Sequence, residues 1–191
     1  MSDLPFPLAG STLIVGPSNT GKTRLTARAL ETWIEREGTD GLVVLDFAPE
    51  LERDGRLLGG RLDRFTTIPD DAWVGRLDAH APRASADSQP DAVVLAEENA
   101  ERAGQIVDAA PAEPRAVFVN DATIPRQHDD GASHRVRDYC DRAAVSVLNA
   151  FESDELGADH PVSRVERATV ATLREWATRT VSLSRGSPAG E

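Results

Sequence analysis

Short apolar runs alternate with longer stretches of helical period along the chain. Ser11-Thr12-Leu13-Ile14-Val15 reads as a first strand, with Met1 to Gly10 as its lead-in. Next, Leu25, Ala29 and Trp33 share one face, flanked by Thr26, Leu30 and Ile34. That spacing predicts a helix to about Glu37, stopped by Gly38 as its C′ glycine. Leu42-Val43-Val44-Leu45 is a second strand ending in Asp46, and its unbroken apolar run suits burial on both faces of a parallel sheet. The pattern weakens from Phe47 to Gly60. Arg64 to Ile68 predicts a short third strand, and Asp70 to Leu77 a helical turn carrying Trp73. His80 to Asp87, small and polar without period, is expected to form a mobile loop or lid.

The second half repeats the alternation. Ser88 to Ala110 predicts a helix with Pro90 near its first turn and a stripe of Val93, Ala96, Ala100, Ala103, Val107 and Ala110. Beyond the break at Pro111 to Pro114, Ala116-Val117-Phe118-Val119 is a buried-type strand ending in Asn120-Asp121. A polar loop, Ala122 to Ser133, follows it. A short helix, His134 to Arg142, leads into a strand from Ala144 to Leu148 that ends at Asn149. Ser163-Arg164-Val165-Glu166 has capping-box spacing, Ser163 at the N-cap and Glu166 three residues on. The final helix then runs to about Thr178, with Val165, Thr169, Thr172, Leu173 and Trp176 facing inward, and Val181 to Leu183 adds an edge strand.

This order predicts an α/β fold: a doubly wound, mostly parallel sheet of five to six strands with helices on both faces. It forms a single domain over residues 1–183, with 184–191 as a flexible tail. In such sheets ligands bind beyond the carboxyl ends of the strands. That rule picks out the stretch after the first strand, then Asp46, Asn120-Asp121 and Asn149.

The stretch after the first strand is Gly16-Pro17-Ser18-Asn19-Thr20-Gly21-Lys22-Thr23, which fits G-x-x-x-x-G-K-[ST] between a strand and a helix, where that pattern has mechanical meaning. Gly16 and Gly21 let the backbone turn and approach an anion. The N–H groups of Ser18, Asn19, Thr20 and Gly21 and the first helical turn then face phosphates, with the helix dipole behind them. Lys22 is placed to reach the β- and γ-phosphates, and the Thr23 hydroxyl to ligate Mg²⁺. Lys22 is also the single lysine of the chain, beside twenty arginines.

Composition narrows the partners. A net charge of −11 argues against a nucleic-acid backbone or an anionic membrane surface, and the arginines are scattered. The acidic, lysine-poor balance matches the bias of salt-adapted or high-GC organisms. No apolar run approaches the ~18 residues of a membrane span, and the N-terminus lacks signal-peptide character. A lone cysteine, Cys140, excludes an internal disulfide and reads as a packed small hydrophobe, so the expected compartment is the cytoplasm. His80, His128 and His134 lack ligand spacing, and the three tryptophans fall on packing faces.

On Gly16 to Thr23 and the strand–helix order through Asn149, the chain resembles the P-loop NTPase superfamily. The resemblance implies binding of Mg²⁺ with a nucleoside triphosphate, ATP or GTP, and a second signature of apolar residues ending in an aspartate. Leu42 to Asp46 and Ala116 to Asp121 both look like that signature. Asp121 is expected beside Thr23 on the metal, whereas Asp46 resembles the substrate-side acid of small-molecule kinases, accepting a proton from an acceptor hydroxyl. Arg83 and Arg126 are the arginines expected to stabilise a transferring phosphoryl group.

The order of Val119-Asn120-Asp121, Ile124-Pro125 and Arg137-Asp138 is also similar to the adenosylcobinamide kinase/guanylyltransferase family. It departs from that family in the interior of the glycine loop, in Asp for Glu, and in lacking glycines around Ile124. The expected activity is phosphoryl transfer to a small molecule. The alternative is an ATPase or nucleotide switch acting on a protein partner, against which stands the lack of a glutamate directly after Asp121. A nucleotide held only as a structural ligand is the third possibility.

Overall fold

The computed structural model describes residues 4–53, 56–127, 134–153 and 159–185. The chain runs β1 (Gly10–Gly16), α1 (Lys22–Glu37) and β2 (Leu42–Asp46), then an antiparallel hairpin of β3 (Glu50–Arg53) and β4 (Arg56–Gly59). A 3-10 turn at Leu62–Arg64 precedes β5 (Trp73–Arg76), α2 (Pro82–Ser85) and α3 (Gln89–Ala109). Then come β6 (Ala116–Asn120), a 3-10 turn at Ile124–Arg126, α4 (Arg135–Cys140), β7 (Val145–Phe151), α5 (Pro161–Trp176) and β8 (Arg179–Ser182).

Six of these strands form one sheet in the order β5-β2-β6-β7-β1-β8, every neighbouring pair parallel. The central strands are buried throughout, and their alternate side chains feed two separate cores. Leu42, Val44, Phe118 and Val147 face α1, where Leu25, Ala29, Leu30 and Trp33 meet them. Val43, Leu45, Val119 and Leu148 face the other way, against Ala103 and Val107 of α3, Val136 and Tyr139 of α4, and Val170 and Leu173 of α5. The sheet is thus doubly wound, with helices on both faces, and all six strands end at one edge. No helix among the described residues is long and apolar enough to cross a membrane.

The central elements match the sequence reading within a residue or two, and the periphery departs from it. The third sheet strand is Trp73–Arg76 rather than Arg64 to Ile68, so the segment expected to be a helical turn is an extended edge strand. Phe47 to Gly60 holds the β3–β4 hairpin. His80 to Asp87 includes the short helix α2 instead of being wholly loop. At α5, Pro161 opens the helix and the ring Nδ1 of His160 caps it by accepting from the Val162 N–H at 3.2 Å. Ser163 therefore lies inside the first turn, and the expected capping box does not form. Asn149 lies within β7, which runs on to Phe151. His128, Asp129 and Asp130 lie outside the described residues.

Gly75 explains how so short an edge strand is held. A Cβ there would lie 2.3 Å from Cγ2 of Ile106 on α3 and 2.7 Å from the Trp73 ring, so α3 packs directly on the strand backbone. Propensity favours a larger residue in a strand, whereas packing forbids it. Gly75→Ala is accordingly expected to lower the melting temperature by about 5 °C in a thermal melt, and a rise in melting temperature would contradict the close approach.

Candidate functional site

The edge where the strands end is built around the loop between β1 and α1. Gly16, Asn19 and Gly21 all have positive φ, at 155°, 60° and 90°. A Cβ on Gly16 would lie 2.4 Å from the Leu183 carbonyl oxygen, so the loop's first glycine is demanded by space as well as by φ. Gly21 is the N-cap of α1, has no side chain with which to cap it, and is followed by no acidic residue in the first turn. The positive end of the helix is therefore left to attract an anion from outside. The Lys22 ammonium donates to the Pro17 carbonyl at 2.6 Å and lies 5.9 Å from the centre of the Phe151 ring. Thr20 Oγ1 donates to the same carbonyl at 2.9 Å.

This loop opens into a cavity of about 600 Å³. Ser18, Asn19, Thr20, Gly21, Lys22 and Thr23 line it, together with Asn120, Asp121 and Asn149 from the ends of β6 and β7. Pro49, Phe65 and Pro82 line it from the segments after β2 and before α3, and the guanidinium of Arg24 lies 5.8 Å from the Phe65 ring. Ile124, Gln127 and Phe151 contribute from the segments after β6 and at the end of β7, and Glu166 from α5.

Beneath the loop the apolar stripe that faces α1 turns polar at the strand ends. Asp46, Asn120 and Asn149 follow Val44, Phe118 and Val147 by two positions, so their side chains point to the same face. They form one buried relay. Asn120 Nδ2 donates to Asp46 Oδ1 at 2.8 Å and to the Gly60 carbonyl at 2.9 Å. Asn149 Nδ2 donates to Asn120 Oδ1 and to Thr26 Oγ1, both at 2.9 Å, and Thr26 in turn donates to the Lys22 carbonyl at 3.0 Å. Asn149 Oδ1 accepts from the backbone N–H of Asp121 at 2.9 Å. The relay ties β2, β6 and β7 to the first turn of α1, and so fixes the loop against the sheet.

The structure brings Ser18 to Thr23 and Asp121 together at the cavity, with Gly16 at the base of the loop, and sets the other expected residues apart. Asp121 holds a positive φ of 61° and accepts from Thr123 Oγ1 at 2.9 Å. Asp46 is fully buried; Oδ1 is taken by Asn120 and Oδ2 accepts from the Leu62 N–H at 2.9 Å. It therefore anchors the chain after β4 and has no open side from which to take an acceptor's proton. Burial pushes its carboxyl above the ordinary aspartate range, against the opposing hydrogen bonds from Asn120 and Leu62. Arg126 is 7% exposed and does not line the cavity. Its burial, with the charge of Arg137 nearby, lowers its pKa, and its Nε and Nη1 make no hydrogen bond. Arg83 falls in α2, and its side chain lies outside the described part of the structure.

Three buried polar side chains at or beside the cavity escaped the sequence reading. Asn99, buried in α3, accepts from the His80 N–H at 2.8 Å and donates to the His80 carbonyl at 3.0 Å. The approach to Ala81 and Pro82 at the cavity mouth is thereby fastened down. Gln127 and Glu166 line the cavity as a hydrogen-bonded pair, Nε2 to Oε1 at 2.5 Å. Glu166 shares a face with Val162, Val170 and Leu173, so a carboxylate inside a buried stripe was the available signal. No protein-family model matches the chain, and no curated protein matches it significantly.

Asp46 supplies a test of the relay. Two donors point at its carboxyl, so Asp46→Asn sets an amide N–H₂ against one of them, at a cost of about 1–3 kcal/mol. Because the folded pKa is raised, the folded state keeps this proton to higher pH than the unfolded chain does. That contribution to stability is fully present below the ordinary aspartate range and is lost as pH rises through the raised value. Urea denaturation should therefore show the largest gap between wild type and Asp46→Asn at acid pH, shrinking toward neutrality. A gap that widens with pH would contradict the assignment.

Proposed function

We propose that this chain binds Mg²⁺ with a nucleoside triphosphate, ATP or GTP, on the Gly16–Thr23 loop and transfers its terminal phosphoryl group. The observation that carries the reading is the loop itself. It has positive φ at both ends, an uncapped helix start, and the chain's single lysine at the first helical position, and its residues Ser18 to Thr23 line one cavity. Backbone N–H groups and Lys22 would take the phosphates, with Lys22 exchanging the Pro17 carbonyl for a phosphate oxygen.

Thr23 and Asp121 fit the metal. Both offer oxygen, which suits Mg²⁺, and both line the same cavity. Among the described residues no group of three or more His, Cys, Asp or Glu could form a protein-only metal cage. A Mg²⁺ held by one hydroxyl and one carboxylate would take its remaining ligands from phosphates and water. When bound, it would neutralise charge on the phosphate oxygens.

The geometry bears on the nucleophile as well. Asp46 is one of the features that favour a small-molecule acceptor, beside the small size of the chain and the segment carrying Arg83, and its enclosure removes that one support. A carboxylate from α5, Glu166, lines the cavity and gives hydrolysis the residue that the chain after Asp121 lacks.

Calorimetric titration of Mg²⁺-ATP and Mg²⁺-GTP in molar KCl tests the binding site. The wild type is expected to bind one of them, and Lys22→Ala to bind it about 10–100-fold more weakly, the worth of a charge-assisted phosphate contact. A folded wild type that takes up neither nucleotide, or a Lys22→Ala variant that binds as well as wild type, would overturn the reading.

A further inference from the structure

One part of the cavity wall differs in kind from the glycine loop. Ala48 and Pro49 after β2, Phe65 after the 3-10 turn at Leu62–Arg64, and Ala81 and Pro82 at the start of α2 make it apolar. Phe65 is 40% exposed and belongs to neither core. A single exposed ring is ordinary on a protein surface. This one lines a ligand-sized cavity, and the guanidinium of Arg24, in the first turn of α1, lies 5.8 Å from its centre. The ring contact is the one interaction of that guanidinium among the described residues.

The ring is held by the same relay that fixes the glycine loop. At one end, Asn149 donates to Thr26, and Thr26 donates to the Lys22 carbonyl. At the other, Asp46 Oδ2 accepts from the Leu62 N–H at 2.9 Å, and the Leu62 carbonyl accepts from the Phe65 N–H at 2.9 Å. Arg64, between them, donates to Glu50 at 2.6 Å. The spacing between the start of α1 and the Phe65 turn is thus set by buried hydrogen bonds before any ligand arrives. Two surfaces held in fixed relation suit one ligand that reaches both, because it then binds without ordering the site.

The chemistry of the second surface narrows what that ligand carries there. An aliphatic group would gain nothing from the flat faces of a phenyl ring and a guanidinium. A further phosphate would meet Arg24 but not the ring or the prolines. A planar heteroaromatic ring matches all of them, stacking on Phe65 and on the guanidinium plane.

We propose that Phe65, with Arg24 beside it, is the stacking platform for the base of the nucleotide whose phosphates the Gly16–Thr23 loop holds. The proposal rests on the nucleotide reading given above. Of the side chains on this part of the wall, Arg24 alone carries a polar group, and it only donates. The base is therefore recognised chiefly by its face.

The test uses the full chain in molar KCl, as wild type, Phe65→Ala, Phe65→Trp and Lys22→Ala. Calorimetry measures affinity for the Mg²⁺ complexes of inorganic triphosphate and of the β,γ-imido analogues of ATP and GTP. The wild type should bind at least one analogue more tightly than triphosphate. Phe65→Ala should weaken that analogue about 5–150-fold, the contribution of one base stacked on an aromatic ring, and leave triphosphate at the wild-type affinity. Phe65→Trp, which keeps a flat ring, should retain the preference for the analogue. Lys22→Ala should weaken both ligands.

The proposal is overturned if Phe65→Ala binds the analogue as tightly as wild type, which would leave the ring to a separate molecule. It is overturned equally if triphosphate and analogue weaken together, since the ring would then be supporting the loop rather than the base. Should Phe65→Ala not fold, Phe65→Leu, which keeps apolar bulk and removes the flat face, decides by the same comparison. A wild type that binds triphosphate through Lys22 and gains nothing from the base leaves the phosphate loop standing and sinks this inference alone. A wild type that binds neither ligand sinks the nucleotide reading itself, and this inference with it.

Discussion

The buried relay from Asp46 through Asn120 and Asn149 to Thr26 is the constraint on which the rest of the site depends. Parallel strands fix where their ends lie, yet they do not by themselves fix the helix that begins beyond them. Here α1 covers its face of the sheet with Leu25, Ala29, Leu30 and Trp33, contacts that carry little directional information. The hydrogen bond from Asn149 to Thr26 supplies the direction, because each amide in the relay is matched and a shift of α1 would orphan buried groups at about 1–3 kcal/mol each. The glycine loop, closed between β1 and α1, inherits that precision. Asp121 inherits it too, since Asn149 also accepts its backbone N–H.

Charge sets the second constraint. A chain of net charge −11 repels a polyanion at long range, so on the proposed nucleotide reading local chemistry must supply the attraction. The uncapped start of α1, the loop N–H groups, Lys22 and Arg24 lie within one cavity and act over a few ångströms. At molar salt the screening length is about 3 Å, which suppresses the repulsion more than these contacts. A compact ammonium that can move from the Pro17 carbonyl to a phosphate suits this arrangement better than the rigid fork of an arginine.

Much of this was legible in the chain, for a physical reason. Strands buried on both faces must be apolar throughout, so Leu42 to Leu45 and Ala116 to Val119 declare themselves, and the glycine loop is marked by residue types that few other backbones require. Edges carry no such mark. Trp73–Arg76 is a strand because β2 pairs with it and α3 packs on Gly75, neither of which a four-residue window contains. Asp46 follows a strand as a ligand-facing acid would. What decided its fate was the hydrogen-bonding reach of Asn120 and Leu62, which are distant in sequence. Glu166 has the spacing of a cap, and only the start of α5 at Pro161 shows that it lies past the cap, where it pairs with Gln127.

The central claim is that phosphates sit on the Gly16–Thr23 loop, and a crystal structure of the full chain with Mg²⁺ and a β,γ-imido nucleotide analogue tests it most directly. The account predicts the β- and γ-phosphates at the loop N–H groups and the Lys22 ammonium moved from the Pro17 carbonyl to a phosphate oxygen. It also predicts the metal about 2.1 Å from the Thr23 hydroxyl, on the side of Asp121. Density for the analogue elsewhere, with Lys22 still on Pro17, would contradict it.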